Sequence, residues 1–410
     1  MLFLLTSILA LLVGLPAPQA AYYDTLPKGV RMVVMKQVQT STINSAFDRQ
    51  KQESQYFYRL DLNAKTIAEI NTSFQAAFDQ VKSISPEAYD QLTFGEYQAK
   101  GQAQVKVNGA GLAWGINNRL TIYSAFPYYD ARVDLNVQRT KGNNYAEVAD
   151  QLRKSGDNSS AQVISQVAPN LPDVNEGVVQ SVVVNYLGYE PLGNWQAKGM
   201  GDVEVGAIYR LTDWDYSGLA LSGGIVLPTG RQDNPDVLQD FAFGDGQTDL
   251  FVEFGGGLTI PNTRWSFDSF ARYTYQFAHN RTMRIPESRD YPYGSEKANF
   301  EEKLGNIFDF TLSTNYQWRR WLSFSAAALY NHIGQASYQS PHQLGNEVHA
   351  ADTEIVQQSV RLATHFSTVP LYKSGDFFLP FAMNLSAQQI LGGMNTPKFS
   401  RYDIEFRFFF

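Results

Sequence analysis

Five histidines, His279, His332, His342, His349 and His365, are the side chains of this chain that titrate near neutral pH. Serine hydrolysis needs a nucleophile, a base within hydrogen-bond reach and a group that orients the base. No G-x-S-x-G elbow occurs, and no histidine stands in a hydrolase motif. His365 shares a strand parity with Ser359 and Arg361 and reads as a hydrogen-bonding residue. His342 and His349 share a loop with Glu347, but their spacing predicts no helix that would bring two rings onto one metal. Asp233, Asp236, Asp240, Asp245 and Asp249 lack the alternate-position spacing of a calcium loop and read as a solvated acidic loop. There is no cysteine, hence no disulfide, thiolate site or lipid-bearing cysteine, and no G-x-x-x-x-G-K phosphate loop. No catalytic residue, metal or cofactor is expected. With a net charge of −7, nothing supplies a basic surface for nucleic acid.

The charges that do form a pattern alternate with apolar residues. The chain ends RYDIEFRFFF, with Tyr402, Ile404, Phe406, Phe408 and Phe410 on one parity and Arg401, Asp403, Glu405 and Arg407 on the other. In a strand these are opposite faces. The same rhythm recurs upstream, where Asp202, Glu204, Arg210, Glu253, Asp268, Arg272, Asp309 and Arg361 oppose aliphatic and aromatic residues. Charges of both signs on one face and a lipid-compatible band on the other predict an antiparallel transmembrane β-barrel whose lumen holds these twelve charges. They either line a polar path or close the lumen as a plug of ion pairs.

The elements that must carry them are about twelve strands: 28–40, 101–115, 119–136, 200–211, 217–229, 248–260, 264–278, 303–318, 321–333, 353–367, 376–389 and 399–410. Strand 119–136 changes parity around Pro127, which predicts a bulge or bend at the membrane edge. Kinks at Pro127 or Pro380 would open a lateral gap. Short turns alternate with long connections, and the long ones, about 42–100 and 138–199 among them, are assigned to the outside. Residues 1–20, an apolar run ending in small residues, read as a signal peptide. The remainder, 21–410, reads as a single barrel domain in the outer membrane of a Gram-negative cell.

The two longest connections carry helical signals. Ser85-Pro86-Glu87 is a helix start, Ile67, Ile70, Phe74 and Phe78 recur at helical spacing, and Tyr145–Lys154 and Ala161–Val167 read as short helices. Between 177 and 187 lie Val178, Val179, Val182, Val183 and Tyr186. An apolar stretch in a loop must pack on something. It either caps the barrel mouth or lines an entrance for an apolar ligand.

Three segments, GMGDVEVGAIYRL (199–211), LALSGGIVLPTGRQDN (219–234) and FAFGDGQTDLFVEFGGGL (241–258), resemble the outer-membrane barrel proteins grouped with the phenol-degradation meta-pathway. Gly199, Gly201, Asp202, Pro228, Thr229, Gly230, Gly244, Gly246 and Asp249 carry the resemblance. It implies a barrel that passes hydrophobic or aromatic small molecules, and it supplies no catalytic residue.

The expectation is therefore a passive channel for small hydrophobic or aromatic molecules. Its partners would be lipopolysaccharide, the solute, and the barrel-assembly machinery through Phe410. A structural or adhesion barrel with a closed lumen is the alternative, and an outer-membrane hydrolase a third reading.

Overall fold

The structure is a computed structural model that describes residues 23–55, 57–64, 75–167, 175–212, 214–289 and 292–410. The signal-peptide segment 1–20 and the helix-spaced Ile67, Ile70 and Phe74 lie outside the described residues.

Twelve strands form the barrel: β1 (Arg31–Thr40), β2 (Thr93–Asn117), β3 (Leu120–Lys141), β4 (Val203–Arg210), β5 (Ser217–Leu227), β6 (Asp249–Thr259), β7 (Trp265–Gln276), β8 (Ile307–Arg319), β9 (Leu322–Ile333), β10 (Ile355–Ser367), β11 (Phe381–Met394) and β12 (Ser400–Phe409). Each pairs antiparallel with its neighbour in sequence, and β1 pairs with β12, which closes the sheet. Closure leaves no free edge, so the backbone hydrogen bonds are satisfied without water. The outward residues form an apolar belt: Leu250, Val252 and Phe254 on β6, Phe308, Phe310 and Leu312 on β8, and Leu385 on β11 are exposed. Such a belt is stable only against lipid. No described helix is long and apolar enough to cross a membrane.

The hairpin β2–β3 is far longer than the rest of the wall. From Gln102 to Trp114 on β2 and at Ile122, Tyr128, Arg132 and Asn136 on β3, its even-numbered residues face outward. In the lower part these are Leu112, Trp114, Ile122 and Tyr128, all exposed. Higher up they are Gln102, Gln104, Lys106, Arg132 and Asn136. Over the same upper stretch the inward residues Ala103, Val105, Val107, Tyr129, Ala131 and Val133 are buried in an apolar core. The apolar face thus changes side where the strands leave the membrane, because lipid below and water above reverse which face is the wet one.

This reversal accounts for the parity change expected as a bulge in β3. Pairing of β3 with β2 runs without interruption through Pro127. The irregularity lies on the other neighbour. A short strand, Trp195–Met200, pairs with the upper part of β3 and β4 with the lower part, and Gly201-Asp202 between them stand out of the ladder opposite Pro127. Proline donates no hydrogen bond, so a break beside it costs little. Pro380 lies just before β11, where its carbonyl accepts from Phe409, and it kinks no strand.

The long connections build an extracellular head. Helices Gln75–Ile84, Pro86–Gln91, Tyr145–Ser155 and Asn158–Val167 share a core of Leu62, Phe78, Val81, Leu92, Phe94, Tyr145, Val148 and Ile164. Ser85 caps the second of them, accepting from the Ala88 N–H at 3.2 Å. A separate three-stranded sheet, His279–Arg284, Lys297–Lys303 and Ser337–Gln339, packs with helix Gln343–Ala350.

Candidate functional site

The loop 228–248, which joins β5 to β6, folds into the barrel. Phe241 and Phe243 are buried among Val38, Ile43, Val105, Tyr129, Ile390 and Phe399. The glycines and acids of 199–258 explain how it is held. Asp202, freed from the ladder, accepts the N–H of Gly230 at 2.7 Å and of Asp245 at 3.1 Å. The Thr229 hydroxyl accepts from Val203 N–H at 3.0 Å and donates to the Gly201 carbonyl at 3.1 Å. A Cβ on Gly244 would sit 2.3 Å from Asp202 Oδ1, and one on Gly230 would sit 2.6 Å from Gly244 Cα. These positions require glycine because two backbones meet on one carboxylate. Asp202, expected to line the path, borders the cavity described below and also anchors the loop that enters the barrel.

The acidic loop expected to be solvated is buried by the same fold. Asp240 and Asp249 are among the buried residues. Asp240 pairs with Arg231 at 2.5 Å, Asp233 with Arg281, and Asp236 with Arg284 at 2.5 Å. Burial beside Asp249 and Asp202 pushes the Asp245 carboxyl well above the usual carboxylate range. The Lys297 hydrogen bond holds Asp236 below it, despite partial burial. Arg281 also reaches Glu302 at 3.4 Å, whose carboxylate accepts from the Tyr338 hydroxyl at 2.8 Å, so the loop is tied to the outer sheet.

Below the loop the predicted lumen charges face inward and mostly pair. Glu204 and Arg272 meet at 2.8 Å, Tyr123 donates to Glu204 at 2.9 Å, and the guanidinium lies 3.8 Å from the centre of the Phe251 ring. Glu253 is the cross-strand neighbour of Arg272. Arg401 pairs with Asp403 at 2.7 Å and Arg407 with Glu405 at 2.6 Å. Lys36, which no motif singled out, joins both at 3.7 and 3.9 Å; its parity opposite Met35 was the available signal. Asp268 accepts from Asn315 at 3.0 Å, Asp309 from Asn331 at 2.7 Å, and Arg361 donates to Gln388 at 2.7 Å. Arg210 stands apart at the periplasmic end and donates to the Asn118 carbonyl at 2.9 Å.

At that end the N-terminal segment crosses the mouth. Leu26 N–H donates to the inward Thr121 hydroxyl at 2.8 Å, and the Tyr23 ring lies so close to Gly218 that a Cβ there would be 2.4 Å from it.

A cavity of about 1510 Å³ joins head and lumen. Its wall includes Val179, Val183, Leu187 and Tyr189 from the head, Tyr129 and Leu135 from the hairpin, and Glu204, Arg272, Asp309 and Arg361 from the barrel. Of the segment expected to cap the mouth or line an entrance, Val179 and Val183 are each buried in a core and border the cavity. Val178 packs on the head core, Val182 is half-buried and Tyr186 is exposed, away from the cavity wall.

The histidines take structural places. His365 Nε2 is 2.8 Å from Ser325 Oγ, but its Nδ1 has no partner, so the pair lacks the orienting group of a triad. His349 Nε2 is 2.9 Å from the Arg284 carbonyl, and Glu347 pairs with Arg289 at 2.6 Å rather than with either histidine of its loop. Burial lowers the His349 pKa.

The chain matches a solved structure, the COG4313 outer membrane channel from Pseudomonas putida F1, with a TM-score of 0.53 and 13% identity over 96% of this chain and 100% of that one. The chain shares that channel's fold. The barrel that the sequence resemblance implies is therefore present. The Pseudomonas putida toluene transporter TodX aligns over 94% of this chain and 90% of its own, at a TM-score of 0.35 and 10% identity. A Pseudomonas aeruginosa FadL homologue aligns over 93% and 90%, at 0.35 and 8%. No protein-family model and no curated protein matches the chain.

Proposed function

We propose that the chain is a passive outer-membrane channel for small hydrophobic or aromatic molecules. The observation that carries this reading is the cavity of about 1510 Å³ that runs from the apolar floor of the head to mid-strand residues of the barrel. Lipopolysaccharide is a barrier to apolar solutes, and a protein chamber with an apolar upper wall offers a route around it. Val179, Val183 and Leu187 receive the solute, and the inward face of β4, β7, β8 and β10 passes it on. The COG4313 outer membrane channel, whose fold this chain shares, supports passage across the outer membrane as the class of activity. No energy-coupling motif is needed for flow down a gradient. Phe410, exposed at the end of β12, is the terminal residue offered to the assembly machinery.

The inward loop and the N-terminal segment narrow the two ends of that path. The test is planar-bilayer conductance of the purified protein together with toluene uptake by cells that express it. Discrete openings and faster uptake than in cells lacking the protein are expected. Electrical silence with unchanged uptake would favour the closed structural barrel instead.

A further inference from the structure

We propose that Arg361 is a seat for a carboxylate, so that the solutes held in the cavity include apolar molecules bearing one acidic group. This deepens the channel reading and rests on it. The cavity wall contains six arginines and no lysine among the described residues. Five of the six are already matched to carboxylates: Arg49 with Asp352 at 3.5 Å, Arg272 with Glu204 at 2.8 Å, Arg281 with Glu302 at 3.4 Å, Arg284 with Asp236 at 2.5 Å and Arg289 with Glu347 at 2.6 Å. Arg361 has none. Its Nε and Nη2 both donate to one neutral oxygen, Gln388 Oε1, at 3.2 and 2.7 Å. Gln388 in turn donates to Ser359 at 2.9 Å, which fixes the amide with its oxygen toward the guanidinium.

A guanidinium presents five N–H donors in a planar fork that matches a carboxylate with two parallel hydrogen bonds. Holding that cation in a partly dry lumen with an amide as its direct acceptor, and with Asp403 and Glu405 beyond ion-pair distance, leaves part of its charge and its donors unanswered. A ligand carboxylate answers both. An uncharged hydrocarbon answers neither.

The surrounding charges orient such a ligand. On the Arg361 side of the barrel, Arg401 pairs with Asp403 and Arg407 with Glu405, and Lys36 lies within 3.9 Å of both carboxylates. On the other side, Asp249 and Asp309 border the same cavity and accept only from the amides of Gln276 and Asn331. That wall offers an acidic group no guanidinium that lacks a carboxylate partner, whereas the Arg361 side offers one. The ligand's apolar body then points up toward Tyr129, Leu135 and Val179 on the same cavity wall.

The experiment compares 3-phenylpropanoate with 3-phenylpropanamide, which differ only in the charged group. Binding to the purified full-length protein is measured by titration calorimetry at neutral pH, and block of the bilayer current is measured in parallel. The acid is expected to bind about tenfold tighter than the amide. Arg361→Gln keeps a hydrogen-bonding group beside Gln388 and removes the charge; the acid's advantage should fall to within about twofold while amide binding stays. Should that variant not fold, the wild-type protein supplies a second readout, because the preference must vanish as pH is lowered through the acid's own pKa. Arg289→Gln, at an arginine already matched to Glu347, should leave the preference in place. Equal binding of acid and amide by the wild type, or a preference that survives Arg361→Gln or protonation of the acid, overturns the proposal while the channel reading stands. Failure of both probes to bind, with no conductance, overturns both.

Discussion

Asp202 Oδ1 occupies the space that a side chain on Gly244 would need, 2.3 Å from where its Cβ would lie. The two residues are 42 positions apart in sequence (244 − 202) and define where the inward loop meets the barrel wall. Gly244→Ala should unseat the loop, and Asp202→Ala should leave the N–H groups of Gly230 and Asp245 without acceptors, at a cost of about 1–3 kcal/mol each. Both variants should gain protease cleavage within 228–248 and pass more current. A loop that stays as resistant as in the wild type would show that the carboxylate does not hold it.

The Glu204–Arg272 pair is buried and stacked on Phe251. Glu204→Gln leaves the guanidinium without its partner and should destabilise the barrel by about 3–5 kcal/mol. Glu204→Gln with Arg272→Met should recover most of that loss. Urea unfolding read from the folded and unfolded bands on a gel is the measurement, and equal stability of wild type and Glu204→Gln would count against a structural role for the pair.

His349 gives the outer sheet a pH response of known sign. Burial lowers its pKa, opposed by the Arg284 carbonyl and Glu302 and reinforced by Arg281. The folded state therefore prefers the neutral ring. Its contribution is complete above the ordinary histidine value of about 6.5 and is lost as pH falls below it. Hydrogen exchange over 343–350 should speed up between pH 7.5 and pH 5 beyond the intrinsic change, and His349→Gln should abolish the excess.

The Tyr23 ring against Gly218 narrows the periplasmic mouth. Removal of residues 23–26 should raise single-channel conductance without loss of folded protein. Unchanged conductance would place the narrowest point elsewhere.

His365→Ala should leave solute passage intact and should not change any ester hydrolysis above background, since its Nδ1 lacks an orienting partner. Loss of an activity with retention of fold would reopen the enzymatic reading.

The twelve strands were legible because each short one keeps a single apolar face across the membrane. The ladder RYDIEFRFFF shows this most plainly: Tyr402 is exposed, and Arg401 and Asp403 are buried on the other face. The hairpin β2–β3 was harder. Its apolar residues move from Leu112 and Trp114 to Val105 and Val107, which a reading with one fixed lipid face takes for a broken strand. Glu204 and Arg272 were legible as lumen groups by parity, though nothing in the sequence said that they pair. Asp202 was legible as a cavity residue, but nothing in the sequence said that the ladder breaks at Gly201-Asp202 and that its carboxylate holds the loop. The acidic loop misled for a related reason. Composition says that five aspartates prefer water, but Arg231 within the loop, and Arg281 and Arg284 each 48 residues from their partners, let Asp240, Asp233 and Asp236 be buried.

The reversal of faces along the hairpin places one strand under two opposed evolutionary regimes. A leucine is suited to position 112 and would invite aggregation at position 104, although both point the same way from the same strand. A lysine is tolerated at Lys106 and would be expelled from the wall a few residues below it. Drift along this hairpin must therefore change its rules within the span of a few residues, and a one-residue insertion would break them on both sides of the lipid surface at once. The stretch where the rules change, around Asn108 and Gly109, marks the water line of the outer leaflet on the protein itself.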